Sequence, residues 1–270
     1  MADQVRIERI DDIAVVRMDR PPANALDLSL VRELDSALEL LETQGGDGGG
    51  GGGGGARGVV LTGVGNFFSA GLDLKVVPEY TDELQRDMIV AFGRMIGRLY
   101  AHPHPTVAAV NGHAVAAGTL LALACDYRIG PIGDCRLGLT GARVGIPYPV
   151  AAQAVIEAEL DPATRRVMVL GAEQIGPDEA MEKGILDELL PADRVLERAV
   201  EVAQQRSTLP AEAYGKIKQQ LRAEALRKIR AATELGEDPC LDEWVTHEAT
   251  EAAARVLRRP GAPRASPGQP

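Results

Sequence analysis

The sequence predicts an α/β fold, and three observations carry that expectation. Val59-Val60-Leu61 is a short apolar run rich in β-branched residues and bounded by glycines, so it reads as a buried strand. Thr106-Val107-Ala108-Ala109-Val110 is a second such run. The second run passes through small residues into Thr119-Leu120-Leu121-Ala122-Leu123-Ala124, an apolar helix, and the first ends in a similar turn.

The elements follow in order. Val5-Arg6-Ile7-Glu8-Arg9-Ile10 alternates apolar and polar, Asp11-Asp12 turns the chain, and Ile13-Ala14-Val15-Val16-Arg17-Met18 returns as the second arm of a hairpin. Arg20 to Leu26 is a loop. Asp27 is placed to cap a helix whose face is striped by Leu28, Val31, Leu34, Leu38 and Leu41. Residues 45–55 are glycine-rich and include eight consecutive glycines, Gly48 to Gly55. A phosphate-cradling loop needs Gly-Lys-Ser/Thr and a following helix, and both are missing, so this reads as a flexible insertion. The strand at Val59 then breaks at Gly63 and Gly65, passes Phe67-Phe68, and turns through Ser69-Ala70-Gly71 into Leu72-Asp73-Leu74.

Asp82 to Tyr100 has the period of a helix, with Leu84, Met88, Phe92, Met95, Ile96 and Leu99 on its apolar side. His102-Pro103-His104-Pro105 ends it, and two histidines held extended by prolines with no neighbouring carboxylate do not make a metal site. Ala151 to Leu160, Pro162 to Leu170 and the segment from Ile175 read as helices, and Gly184 to Leu190 leads into a last strand. From Val195 helices dominate, with a basic face on Tyr214 to Leu221. The division expected is a core over 1–195, a helical region over 196–257 and a disordered tail over 258–270.

Composition narrows the function classes. A net charge of −10 argues against general nucleic-acid binding. No run of about 18 apolar residues is present, so no membrane span is expected. Met1 to Ile7 lacks a basic-then-apolar signal pattern. Cys125, Cys135 and Cys240 have neither metal-ligand spacing nor a disulfide framework, which suits a reducing cytoplasm.

The two turns suggest chemistry. Small residues let a backbone approach a ligand closely, and a turn that opens a helix presents unpaired N–H groups to it. Two such donors converging on one oxygen would suit a thioester enolate or a tetrahedral oxyanion. An ordinary strand–loop–helix connection is the alternative reading of either turn alone.

Four motifs in register make the sequence similar to a known family. Asn24-Ala25-Leu26, Phe68-Ser69-Ala70-Gly71-Leu72-Asp73-Leu74, Ala109-Val110-Asn111-Gly112 with Ala117-Gly118, and Cys125-Asp126-Tyr127-Arg128-Ile129 resemble the crotonase (enoyl-CoA hydratase/isomerase) superfamily. The isomerase branch is the more similar. The likeness implies a crotonase-like ββα superhelix core with a C-terminal helical segment, and homotrimers or dimers of trimers. It also implies a coenzyme A thioester as substrate or ligand, with no other cofactor and no metal, and isomerase or lyase chemistry in fatty acid metabolism.

Carried over by position, the resemblance implies backbone N–H groups of Leu72 and Ala117 as oxyanion donors. Asn24, Ala25, Leu26, Ser69, Ala70, Gly71, Asp73, Lys75 and Thr140 would contact the thioester, with Arg20, Lys75 and C-terminal basic residues near the phosphates. The glutamates of two-carboxylate hydratases fall on Leu120 and Gly141, which cannot move protons, and Arg136 to Val150 contains no Asp or Glu. Two-glutamate hydration is therefore not expected. His113, Glu79, Asp82 and Glu157 are the candidate replacements, and Arg143 is placed either at the thioester pocket or at a subunit contact. Gly141→Glu is expected to restore isomerase activity if the pocket is otherwise intact. Two functions stand: an enolate-stabilising enzyme, or an acyl-CoA-binding protein of this fold without chemistry.

Overall fold

A computed structural model describes residues 3–44 and 55–258. The expected glycine-rich insertion therefore lies outside the described residues except for Gly55, and so does the expected tail beyond Arg258.

The N-terminal hairpin forms as its alternation requires, with β1 (Val5–Ile10) antiparallel to β2 (Ile13–Met18). In α1 (Leu28–Gln44) the Asp27 carboxylate accepts the Leu30 N–H at 2.9 Å, supplying the expected cap. β3 (Gly58–Gly63) pairs parallel to β2, and β4 (Phe67–Ser69) then leaves this sheet. α2 (Asp82–Ala101) starts at Thr81, whose hydroxyl accepts the Leu84 N–H. Leu84 itself faces solvent, so the apolar stripe begins at Met88 instead.

β5 (Thr106–Ala109) joins the first sheet beside β3, β6 (His113–Val115) pairs with β4, and α3 (Ala117–Leu123) follows. β7 (Tyr127–Pro131), β8 (Leu137–Gly138), α4 (Gly141–Val144), α5 (Val150–Glu159) and α6 (Pro162–Arg165) come next. Arg166–Leu170 continues α6 as a π-helical turn. After α7 (Pro177–Glu182), β9 (Glu188–Leu190) closes the first sheet. Four helices finish the described residues: α8 (Val195–Ser207), α9 (Ala211–Leu221), α10 (Ala223–Glu234) and α11 (His247–Arg258). Arg258, expected to begin the tail, ends this last helix.

The larger sheet has the order β1-β2-β3-β5-β7-β9, parallel except for the hairpin; the smaller, β4-β6-β8, is parallel throughout. Alternation splits β2 between two cores, because successive side chains point to opposite faces. Ile13 and Val15 pack with Val60, Val107 and Ile129 under α8, whereas Ala14, Val16 and Met18 face the main core. The second sheet is the feature that sequence reading missed. Phe67–Ser69 and His113–Val115, read as parts of turns, are strands held beside one another, and this sheet brings the two small-residue turns together.

The basic face expected on α9 divides, for Lys216 stays exposed and pairs with Glu212 whereas Lys218 is buried. Lys218 turns inward and places Nζ 2.8 Å from Asp126 Oδ2, while Arg222 places Nη1 2.9 Å from Oδ1. A buried carboxylate draws these cations in because burial of any of the three alone would be costly. The outward positions carry Ile217 and Leu221.

Candidate active site

The first turn is fixed by the loop that precedes α1. Asn24 is buried and donates from Nδ2 to the Val64 and Phe67 carbonyls at 3.0 and 2.8 Å. The Ser69 hydroxyl donates to the Asn24 carbonyl at 2.8 Å and accepts the Gly71 N–H at 3.1 Å. Ala70 N–H goes to the Ala23 carbonyl, and Leu26 bridges Leu72 in parallel fashion. In that bridge Leu26 N–H donates to Gly71 O at 2.7 Å, and Asp73 N–H donates to Leu26 O at 2.9 Å. Leu72 N–H consequently points to the opposite side.

The second turn sits directly against the first. Gly71 has φ +81°, and a β-carbon there would lie 2.7 Å from the Val115 carbonyl and 3.0 Å from the Ala117 nitrogen. Ala116, with φ 52°, holds a backbone region that ordinary residues avoid, and its N–H donates to Gly138 O at 2.6 Å. Ala117 opens α3, so its N–H has no partner within the helix. Among the described residues, neither Leu72 N–H nor Ala117 N–H finds a hydrogen-bond acceptor, and both residues line one cavity.

That cavity has a volume of about 580 Å³. Ala70, Leu74, Phe92, Leu120, Val144, Ile146, Ala152, Trp244, Val256 and Leu257 make most of its wall apolar. Its polar groups are Thr140, Gln174, Tyr148 and the guanidinium groups of Arg136 and Arg143. No Asp or Glu among the described residues lines it.

Gly141 and Tyr148 are coupled across this wall. The Tyr148 oxygen accepts the Gly141 N–H at 2.9 Å, and a β-carbon at Gly141 would lie 2.9 Å from Tyr148 Cζ and 2.7 Å from the Ile146 carbonyl. The ring fills the space that a side chain at 141 would need. A glutamate at 141 would therefore not enter the pocket as it stands, and the gain from Gly141→Glu, conditional on an otherwise intact pocket, requires the ring and the Ile146 carbonyl to shift. Burial pushes the Tyr148 phenol above its ordinary range, with the Gly141 N–H pulling the other way.

The remaining sequence candidates divide sharply. Leu72, Ala117, Ala70, Thr140, Leu120, Gly141 and Arg143 meet at the cavity. Asn24, Leu26 and Ser69 do not reach it; they are fully enclosed brackets between the Arg20 loop and the first turn. Ala25 is half-buried, and its carbonyl accepts from Arg20 at 2.9 Å. Gly71 shapes the junction of the turns without lining the cavity. Arg20 lies 3.0 Å from Asp27 and 2.8 Å from Asp73, so these two carboxylates engage its guanidinium and Asp73 is spent in that pairing. Lys75 is exposed.

None of the replacement acids or bases lines the cavity. His113 accepts the Arg136 N–H on Nδ1 at 3.1 Å and stacks at a tilt on Phe67, with burial pulling its imidazole below the ordinary range. Glu79 and Asp82 are exposed. Glu157 lines an adjoining cavity of about 750 Å³ and pairs with Lys228 at 2.8 Å. No three His, Cys, Asp or Glu among the described residues are grouped to hold a metal. No described helix is long and apolar enough to cross a membrane.

The enoyl-CoA hydratase/isomerase family profile matches residues 8–252. This chain belongs to that family. Among curated relatives, the human mitochondrial enoyl-CoA delta isomerase 1 is 32% identical over 82% of this chain and 69% of its own length. A 2,3-dehydroadipyl-CoA hydratase of Escherichia coli is 31% identical over 73% of each. Among solved structures, a human mitochondrial delta3-delta2-enoyl-CoA isomerase superposes with TM-score 0.79 at 26% identity, covering 94% of this chain and 96% of that one. An enoyl-CoA isomerase of Mycobacterium tuberculosis gives 0.78 at 28%, covering 88% and 100%.

The crotonase fold expected from the four motifs is thus the fold observed. Tyr148, Gln174 and Arg136 are polar residues of the cavity lining to which sequence reading assigns no role. A signal for Tyr148 was present: it stands between Pro147 and Pro149 in a chain only 3% aromatic. Flanking prolines hold such a residue in an extended loop with few alternatives.

Proposed function

We propose that this protein binds acyl-CoA thioesters in the 580 Å³ cavity and stabilises a thioester enolate there. The observation that carries the reading is the pair of unspent donors, Leu72 N–H and Ala117 N–H, on two touching turns at one cavity. The thioester oxygen would accept both bonds. As the α-proton leaves, negative charge grows on that oxygen, and rigid donors in a largely apolar wall stabilise it more than water would. The apolar side chains beyond, from Phe92 to Trp244, would take the acyl chain.

Water addition by two carboxylates does not fit a wall without Asp or Glu, and Leu120 and Gly141 stand where the family resemblance puts the glutamates. Double-bond migration is the enzymatic reading, since it needs one proton-transfer group and no bound water. The same carboxylate-free wall supports a second reading, acyl-CoA binding without turnover. A trimer or a dimer of trimers belongs to the proposal as its assembly.

The test incubates the protein with 2-enoyl- and 3-enoyl-CoA of several chain lengths, following hydration and double-bond migration alongside binding by calorimetry. Migration of 3-enoyl substrates without hydration is the expected result. Binding without turnover selects the second reading, and no binding of any thioester overturns both.

A further inference from the structure

Tyr148 brings an ionisable hydroxyl to the wall of the cavity, placed where a glutamate side chain at 141 would otherwise project. We propose that Tyr148 is the proton-transfer residue of this site, removing the α-proton of a 3-enoyl thioester as phenolate and returning it to the γ-carbon as phenol. This rests on the acyl-CoA reading above. The geometry is specific: the ring occupies the space over Gly141, with Cζ 2.9 Å from the β-carbon position, and the oxygen is held by the Gly141 N–H at 2.9 Å. That N–H takes one lone pair of the oxygen and leaves another for a substrate proton, and it stabilises the phenolate when that forms.

The proton balance closes without a co-reactant. The phenolate oxygen takes the α-proton; the C–H electron pair moves into the C–C bond and the thioester oxygen becomes an enolate on Leu72 N–H and Ala117 N–H. The dienolate then takes the proton back from the phenol at the γ-carbon, the thioester carbonyl reforms, and the phenolate is regenerated. Burial raises the Tyr148 phenol and the Gly141 N–H lowers it, while the residues Arg136 and Arg143 share the cavity lining with it. In the adjoining cavity that Tyr148 also lines stand Arg165, Arg166 and Glu157, the last engaged by Lys228. Asp238 accepts the Val150 N–H at 2.8 Å at the start of α5. Burial keeps most of the phenol protonated near neutrality.

The experiment compares the full-length protein with Tyr148→Phe, which keeps the ring that packs against Gly141. It uses isomerisation of 3-hexenoyl-CoA, α-proton exchange of butyryl-CoA in D2O by NMR, and butyryl-CoA binding. Wild-type turnover is expected to rise roughly tenfold per pH unit between pH 7 and 9, because only the phenolate reacts. Tyr148→Phe is expected to bind butyryl-CoA within about twofold of wild type while losing on the order of 100-fold in isomerisation and in exchange. Wild-type rates in the variant, or a flat wild-type profile over that range, would overturn the role. Wild-type protein that binds butyryl-CoA but neither isomerises nor exchanges also removes it while leaving the binding reading intact. Absence of wild-type binding defeats the acyl-CoA reading itself, and this inference with it.

Discussion

Gly71 and Ala117 belong to different strand–turn units, yet a β-carbon on Gly71 would stand 3.0 Å from the Ala117 nitrogen. This contact sets the separation of the two candidate donors, and it leaves no room for a side chain.

Gly71→Ala is therefore expected to push the turns apart. The added methyl also meets the Val115 carbonyl at 2.7 Å, in a backbone with φ +81° that favours glycine. Strain of about 1–3 kcal/mol is expected in urea unfolding. Acyl-CoA affinity should fall by more than tenfold in a folded variant, as read by calorimetry. Unchanged affinity would show that the two donors do not act together.

His102 gives the fold a pH dependence. Its side chain is fully enclosed, and burial pulls the imidazole down to about 3, with Lys218 and His104 adding to the effect. The unfolded chain takes up a proton near pH 6.5, whereas the folded chain does not until near pH 3. Stability is therefore complete above pH 6.5 and falls with acidification at up to about 1.4 kcal/mol per pH unit. His104 shifts in the same direction and adds to the slope. Between pH 6.5 and 5, above the carboxylate range, His102→Leu should flatten the urea-midpoint profile by up to one proton.

The motifs located both turns in the sequence but did not reveal which side chains face the ligand. Asn24, Leu26 and Ser69 lie in segments that approach the site, and each was expected to contact the thioester. In the fold they tie one segment to the other, because the parallel bridge of Leu26 with Leu72 turns them inward. A one-residue change of direction decides such a role, and pattern alone does not carry it. The backbone donors were legible for the converse reason: small residues in a turn after a strand expose N–H groups whatever the neighbours are. Tyr148 and Gly141 are separated by a turn with Gly145 at φ +69°, so their contact is a product of the folded chain. The absence of acids from Arg136 to Val150 was plain in the sequence; what fills the space was not.

Asp126 anchors the C-terminal helices to the core. Its carboxylate receives Lys218 and Arg222 at 2.8 and 2.9 Å, the Tyr214 hydroxyl at 2.9 Å and the Thr106 N–H at 2.9 Å. Burial opposes the charged form, but Lys218 and Arg222 outweigh it and hold the carboxyl below its ordinary range. Its contribution is thus present above about pH 4 and is lost as pH falls through the lower folded value. Asp126→Asn leaves the buried Lys218 without its counter-charge and Arg222 with Glu159 alone, 3.6 Å away, and should cost about 3–5 kcal/mol in urea unfolding at pH 7. A loss under 1 kcal/mol would show that water reaches these cations.

Tyr148 determines what a carboxylate at position 141 can do. In Gly141→Glu the new side chain would meet both the Ile146 carbonyl, 2.7 Å from its β-carbon, and the ring at 2.9 Å. Overpacking of this kind costs about 1–3 kcal/mol, so the single variant should melt earlier and show no gain in 3-enoyl-CoA isomerisation. Adding Tyr148→Ala removes the ring and opens the same space to the carboxylate. The double variant should recover only the part of the lost stability that the ring causes, since the Ile146 carbonyl at 2.7 Å stays. It should isomerise with a profile that is flat above about pH 6, since a glutamate is already ionised there. A single Gly141→Glu variant that folds as stably as wild type and gains activity would place the ring elsewhere in solution. It would then make the glutamate, and not the phenol, the group that this cavity accommodates.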